Sequence, residues 1–152
     1  MLLVPYERFE LRSGLSPSDL ARRLEAATVK SQPWLKAAPP GKQFEGVVTS
    51  SGFRLVRITR GMNTYLPRLE GTVRADEHSG SKVAVAVAVQ PVAVAIVLAF
   101  FGSMLVLSLR AGDSIVEPVL LLAGFHIGLY FVGFRPEVLA ARAALQQVLA
   151  AA

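Results

Sequence analysis

Residues 91–109 of this chain read PVAVAIVLAFFGSMLVLSL, residues 110–114 form a polar break, RAGDS, and residues 115–134 read IVEPVLLLAGFHIGLYFVGF. From Val92 to Leu109 there are 18 residues without a charge, and eleven of them are Val, Ile, Leu or Phe. A helix of this length spans ~27 Å, close to the hydrocarbon thickness of a bilayer. The stretch therefore predicts a first membrane crossing, with insertion favourable by about 3 to 7 kcal/mol.

The second apolar stretch, about Ile115 to Phe134, predicts a second crossing. It carries Glu117 and Pro118 at its start and His126 near its middle, so we expect its insertion to depend on the first helix. The alternative is a buried helical hairpin in a soluble α-rich domain. A chain of 152 residues cannot easily surround two helices this apolar, and we therefore predict a transmembrane hairpin over residues 91–134, surrounded by membrane lipids.

The overall composition, 53% hydrophobic and 18% charged residues, is that of a chain with one polar segment and one apolar segment. The charges lie mostly before residue 90, which predicts a small folded module over residues 1–90. After the hairpin, residues 135–152 predict a C-terminal amphipathic helix that begins at Arg135-Pro136-Glu137. It packs back on the module or lies on the membrane surface.

The module reads as one strand, one helix and then four antiparallel strands, which predicts an α+β membrane protein with a β-α-β-β-β-β sheet module. The helix begins at Ser16-Pro17-Ser18-Asp19, a typical N-terminal capping sequence, and is predicted to reach about Val29. The clearest strand is KVAVAVAVQ at residues 82–90, in which every second residue is Val. Pro91 marks the change from strand to helix.

The positive charges near the hairpin predict its orientation. Arg74, Lys82, Arg135 and Arg142 flank the two open ends, whereas only Arg110 lies at the turn. The start of the chain lacks the basic and apolar regions of a signal peptide. We therefore expect both termini on the cytoplasmic side of a bacterial inner membrane. An anionic leaflet explains the net charge of +5, so no nucleic-acid partner is expected.

The segment FELRSGLSPSDLARRLEAA, residues 9–27, resembles the opening strand and helix of START-like domains (SRPBCC, helix-grip). This resemblance implies a curved antiparallel sheet around a long C-terminal helix, with apolar ligands held between them. The chain departs from that pattern where further strands would be expected, because the hairpin occupies their place. With FEGVVTSSGFRLVRI at residues 44–58 and RGMNTYLPRLEGTV at residues 60–73, the whole chain is also similar to small two-helix bacterial membrane proteins without an assigned function.

The segment from Arg60 to Tyr65, RGMNTY, joins two predicted strands and is the candidate anion site. Arginine forks and backbone amides there could bind a phosphate, a lipid headgroup or another anionic ligand. The alternative is an ordinary turn with solvated arginines. The candidate ligand or headgroup residues are Arg54, Arg57, Arg60, Asn63 and Arg68.

Two aromatic residues are candidates for the membrane interface. Trp34 lies between Lys30 and Lys36, which suits an indole at the headgroups with ammonium groups on phosphates, and Tyr130 lies near the end of the second crossing. The alternative for Trp34 is that it covers one end of the core of the module.

His126 is an ionisable group in the middle of the second crossing, where such groups mark a proton path or a helix contact. A hydrogen bond to Ser103 or to a backbone carbonyl of the facing helix is expected. Gly124 and Gly128 are spaced as GxxxG around it and should share its helix-contact face. Their partner is either the first crossing, through Gly102 and Ser103, or another copy of the chain.

No catalytic motif is present: the chain has two His, no Cys, and no HExxH, GxSxG, Walker or GxGxxG pattern. We therefore expect a non-enzymatic protein without cofactor or metal. The function expected from the sequence is a START-like module, anchored to the membrane, that binds a lipid-like ligand or a partner protein. The alternatives are a structural accessory subunit of a larger membrane complex, or a nucleotide-sensing membrane effector. A homo-oligomer is compatible with either of the first two.

Overall fold

The computed structural model describes residues 5–30, 39–59, 67–76, 80–112 and 114–150. Its elements in chain order are β1 (Tyr6–Ser13), α1 (Pro17–Ala26), β2 (Thr28–Val29), β3 (Phe44–Thr49), β4 (Gly52–Arg57), β5 (Arg68–Ala75), β6 (Ser81–Ala88), α2 (Pro91–Ala111), α3 (Val116–Gly128), a π-helical segment (Leu129–Phe134) and α4 (Arg135–Ala150). The predicted α+β class is confirmed.

One six-stranded sheet organises the module, with the strand order β1-β6-β5-β4-β3-β2. Strands β3 to β6 form the predicted antiparallel run, and β1 closes against β6 in antiparallel register from Tyr6↔Ala88 to Ser13↔Ser81. The short strand β2 was not predicted. It pairs parallel to β3, which makes the sheet mixed, and α1 therefore ends at Ala26 rather than near Val29.

The parallel pairing of β2 follows from the connection that separates it from β3. Neighbouring parallel strands need a crossover of a dozen or more residues, and the chain between Val29 and Phe44 supplies that length. The backbone carbonyl of Ala27 accepts from the amides of Gln43 and Phe44, which fixes the start of β3 beside the end of α1.

Alternation along the strands gives the sheet one apolar face, and α1 and α4 cover it. Val83, Val85 and Val87 of β6 are buried on this face, as their spacing predicts. The largest buried side chains from the helices and neighbouring strands are Leu20, Leu24, Phe44, Leu55, Leu69, Phe134, Val138 and Leu145. The opposite face of the sheet carries Ala84, Ala86 and the charged side chains, and no element covers it among the described residues.

The start of α1 is capped as its sequence predicts. The Ser16 hydroxyl accepts a hydrogen bond from the Asp19 amide at 3.2 Å and donates one to the Asp19 carboxylate at 2.7 Å. The hydrogen bond from the Ser16 hydroxyl to the Asp19 carboxylate, together with the charges of Arg22 and Arg23, lowers the pKa of Asp19 below its ordinary value.

The second hairpin helix does not end at the base of the hairpin. The sequence predicts a new helix start at Arg135, but α3, the π-helical segment and α4 run on as one helix of 35 residues, Val116–Ala150. Pro136 has no amide to donate and would clash with the preceding turn of a regular helix. The wider π-helical turn, in which the Arg135 amide bonds to the carbonyl of Tyr130, accommodates it.

Candidate functional site

The two hairpin helices expose an apolar surface on nearly all sides. Each is long and apolar enough to cross a membrane, and only 6% of its most apolar 18-residue window is buried inside the protein. A core helix of a soluble protein would bury most of such a window. The exposed side chains include Ile96, Leu98, Phe100, Leu107, Leu109, Leu120, Ile127 and Val132. Apart from its base, where Ala93 and Phe134 join the core of the module, the hairpin is therefore not part of that core.

A small cavity of about 50 Å³ lies where the hairpin meets the module, and the His126 side chain lines it. The other lining residues are apolar, among them Pro5, Ala93 and Leu122. The expected hydrogen bond of His126, to Ser103 or to a backbone carbonyl of the facing helix, is absent from the described residues, and the Ser103 hydroxyl donates to the carbonyl of Phe100 in its own helix at 2.7 Å. The cavity is too small and too apolar to hold more than one small apolar group.

The three glycines predicted to form a helix contact, Gly102, Gly124 and Gly128, do not pack against the facing helix. A Cβ atom built on Gly102, Gly124 or Gly128 would meet no atom of the described residues within 4 Å. Successive residues of a helix are rotated by about 100° around its axis. His126 lies two positions from Gly124 and two from Gly128, so its side chain points roughly 200° away from either glycine. The expectation that His126 shares their face is therefore corrected. The helices meet instead through the rings of Phe101 and Phe125, whose centroids are 5.5 Å apart.

Replacing Gly128 with Leu should change the free energy of unfolding of the single chain by less than about 0.5 kcal/mol, because a Cβ atom at this position meets no described atom within 4 Å. Thermal melting of the detergent-solubilised protein tests this. Ala93→Leu is the matched control, since Ala93 is buried at the base of the hairpin and the same enlargement there should lower the melting temperature. Destabilisation by Gly128→Leu would show that an unseen neighbour packs on the glycines.

The three candidate anion-binding arginines that the structure describes do not converge on one point. Arg54 lies on the open face of the sheet and pairs with Glu70 at 3.0 Å, and both side chains are more than half exposed. Arg68 lies on the same face, on the neighbouring strand. Arg57 points to the opposite face, because it lies three positions after Arg54 in β4 and successive side chains of a strand alternate between the two faces. The other candidates, Arg60 and Asn63, lie outside the described residues, as does Trp34.

The charge of Arg57 is neutralised by a residue that the sequence did not suggest. Its Nη2 and Nε atoms donate to the same Glu137 carboxylate oxygen at 2.7 and 3.2 Å. The two side chains retain only 25% and 21% of their exposure. Their ion pair joins β4 to the first turn of α4, directly after the hairpin. Arg57 is therefore a structural contact between the sheet and the hairpin helix rather than a free headgroup ligand.

Tyr130 lies on the π-helical segment at the base of the hairpin. It is half-buried, and its ring stacks on Phe134 with the centroids 6.0 Å apart. Phe134 is itself buried in the core of the module. The location suits an aromatic residue at a membrane surface, and this role stays a prediction.

The space between the sheet and its covering helices, where a START-like ligand would be expected, is filled by core side chains. Two large concave regions lie outside it. One, of about 900 Å³, follows the open face of the sheet around Thr72, Ala84 and Ala86. The other, of about 700 Å³, is a groove between β1 and α4. No group of three or more metal-binding side chains occurs among the described residues.

Comparison of the chain with protein-family models, curated proteins and solved structures finds no match.

Proposed function

We propose that this chain is a non-enzymatic, two-pass protein of a bacterial inner membrane, whose cytoplasmic α+β module is held at the bilayer and binds a partner protein. The observation that carries the proposal is the nearly complete exposure of two apolar helices that continue into the module. Burying one Val, Leu, Ile or Phe side chain is worth about 1.5 to 3 kcal/mol. A hairpin that exposes so many of them needs an apolar environment.

Of the two kinds of ligand expected for such a module, the partner protein is favoured. A lipid-like ligand would need an enclosed apolar cavity, and side chains of α1, α4 and the sheet occupy the corresponding space. The large concave regions are open surfaces with charged rims. Such surfaces suit another protein better than a single lipid.

Single cysteines test the membrane topology, since the natural chain has none. Ser114→Cys at the hairpin turn should react with an impermeant maleimide in intact cells. Ser51→Cys in the β3–β4 turn and Ala150→Cys at the end of α4 should react only after the membrane is permeabilised. The protein should also resist alkaline carbonate washing and dissolve in detergent. Release by carbonate, or the opposite labelling pattern, would contradict the proposal.

A second candidate function is that of an accessory subunit in a larger membrane complex. The observation that favours it is the unoccupied space beside Gly124 and Gly128, where another helix could approach closely. Co-migration of the detergent-extracted protein with a larger complex, lost in Gly124→Leu but kept in Ala123→Leu, would support this alternative.

A further inference from the structure

Strand β1 is an open edge of the sheet. It pairs along all eight residues with β6 on one side, and no strand in the described part of the chain pairs with its other side. In an antiparallel pair, about half of the backbone donors and acceptors of an edge strand point away from the sheet. The outer side of β1 therefore presents a row of backbone groups that another strand can complete.

A groove runs beside this edge, between β1 and the C-terminal half of α4. Leu11, Leu15 and Leu149 supply its apolar lining, while Arg12, Arg142 and Gln146 lie along it. Strand edges with a groove between strand and helix bind extended peptides by adding a strand, with backbone bonds for affinity and alternate side chains in the groove for specificity. Both components are present here.

The charges at the groove select an acidic ligand. Glu10 and Arg12 of β1 lie on the open face of the sheet, opposite Ala84 and Lys82 of β6. The Glu10 carboxylate forms an ion pair with Lys82 at 3.0 Å, whereas Arg12 has no carboxylate partner within the described ranges. Arg142 has none there either, and its guanidinium lies 5.3 Å from the centre of the Phe9 ring. Two positive charges without a carboxylate therefore flank the free edge, one from the strand and one from the helix.

We propose that an extended acidic segment of a partner protein adds to β1 as a seventh strand. Its apolar side chains alternate with acidic ones: the apolar side chains enter the groove over Leu11 and Leu149, and the acidic ones lie beside Arg12. This inference rests on the proposed function, because it names the kind of partner that the module binds.

A second copy of the chain is a poorer occupant of the same edge. Two β1 strands related by a two-fold axis would pair antiparallel, and the hairpins, which each follow β6, would then leave the joined sheet at opposite ends. Two hairpins in one bilayer must leave on the same side. A partner whose acidic segment is free to approach avoids this conflict.

The full chain, reconstituted in nanodiscs, can be titrated with a fluorescent peptide of sequence EVEVEVE at 0.15 M salt and followed by anisotropy. Two control peptides separate the contribution of charge from that of backbone hydrogen bonds. KVKVKVK reverses the charge of the peptide. EVEVEVE methylated at alternate backbone nitrogens keeps the charge but lacks the N–H donors that would bond to β1. Saturable binding of the first peptide, with neither control binding, is the expected result.

The Arg12→Glu variant should weaken that binding about tenfold, because it replaces a favourable cross-strand charge pair with a repulsive one. Arg74→Glu is the matched control. Arg74 and Arg12 both pair with Lys82 in register, so the control makes the same charge change on the far side of β6. It should leave the affinity unchanged.

The proposal would be overturned if Arg12→Glu and Arg74→Glu weakened peptide binding equally, or if the methylated peptide bound as tightly as the unmethylated one. Either result would show that the peptide is attracted by surface charge alone. A protein dimer that Arg12→Glu dissociates would assign the edge to a second copy instead. Because the peptide titration does not depend on orientation in cells, its failure alongside correct cysteine labelling would reject the docking site and leave the membrane topology standing.

Discussion

Replacing Val87 with Asp is expected to unfold the α+β module, at a cost of about 4 kcal/mol or more. Val87 is fully buried in β6, opposite Leu69 of β5. A carboxylate there would lose its hydration and find no free basic partner, because Arg57, which points to the same face of the sheet, is already paired with Glu137. Limited proteolysis and chemical denaturation of the solubilised chain measure the loss.

Ala86→Asp is the control for this variant, because the two positions are adjacent in β6 and their side chains point to opposite faces. On the open face, the same carboxylate remains hydrated, and the change should cost less than about 1 kcal/mol. If Val87→Asp resists protease as well as the parent does, the strand does not belong to the core.

Replacing Glu137 with Ala is expected to destabilise the chain by about 2 kcal/mol, because it leaves the guanidinium of Arg57 three-quarters buried without its carboxylate. Denaturation of the solubilised protein measures this effect, and a double-mutant cycle isolates the ion pair. Arg57→Met with Glu137→Leu should recover much of the loss, since both charged groups are then removed together.

The exposed pair Arg54–Glu70 supplies the comparison, because the same substitutions there should show a coupling of less than about 1 kcal/mol. A coupling as small between Arg57 and Glu137 would mean that water reaches this contact. The ion pair would then not be what fixes the start of α4 to the sheet.

Local sequence patterns predict the strands and the hairpin well, because these elements follow from periodicity. Alternating valines define β6, and the long uncharged run defines α2. Patterns of this kind do not show which elements become neighbours. The parallel pairing of β2 depends on the long connection that precedes β3, and the uninterrupted passage through Pro136 depends on where α4 packs, so the sequence predicted neither.

The candidate site was less predictable for the same reason. Strand alternation can place Arg57 on the opposite face from Arg54, but it does not show what each arginine contacts. The partner of Arg57 lies 80 residues away, where no local signal could indicate it. The groove beside β1 likewise exists only once α4 has docked, because one side comes from each end of the chain.

Under the proposed function, the unbroken helix from Val116 to Ala150 would also determine how the module meets a partner protein. A flexible 20-residue linker has a root-mean-square end-to-end distance of roughly 25 Å, so a domain attached through it would have no fixed position. This module is instead joined to its hairpin by continuous helical backbone. Within the proposed topology, the free edge of β1 is then presented at a nearly constant height above the bilayer. A partner in the same membrane would find it by searching in two dimensions, and little orientational entropy would be lost when the two associate.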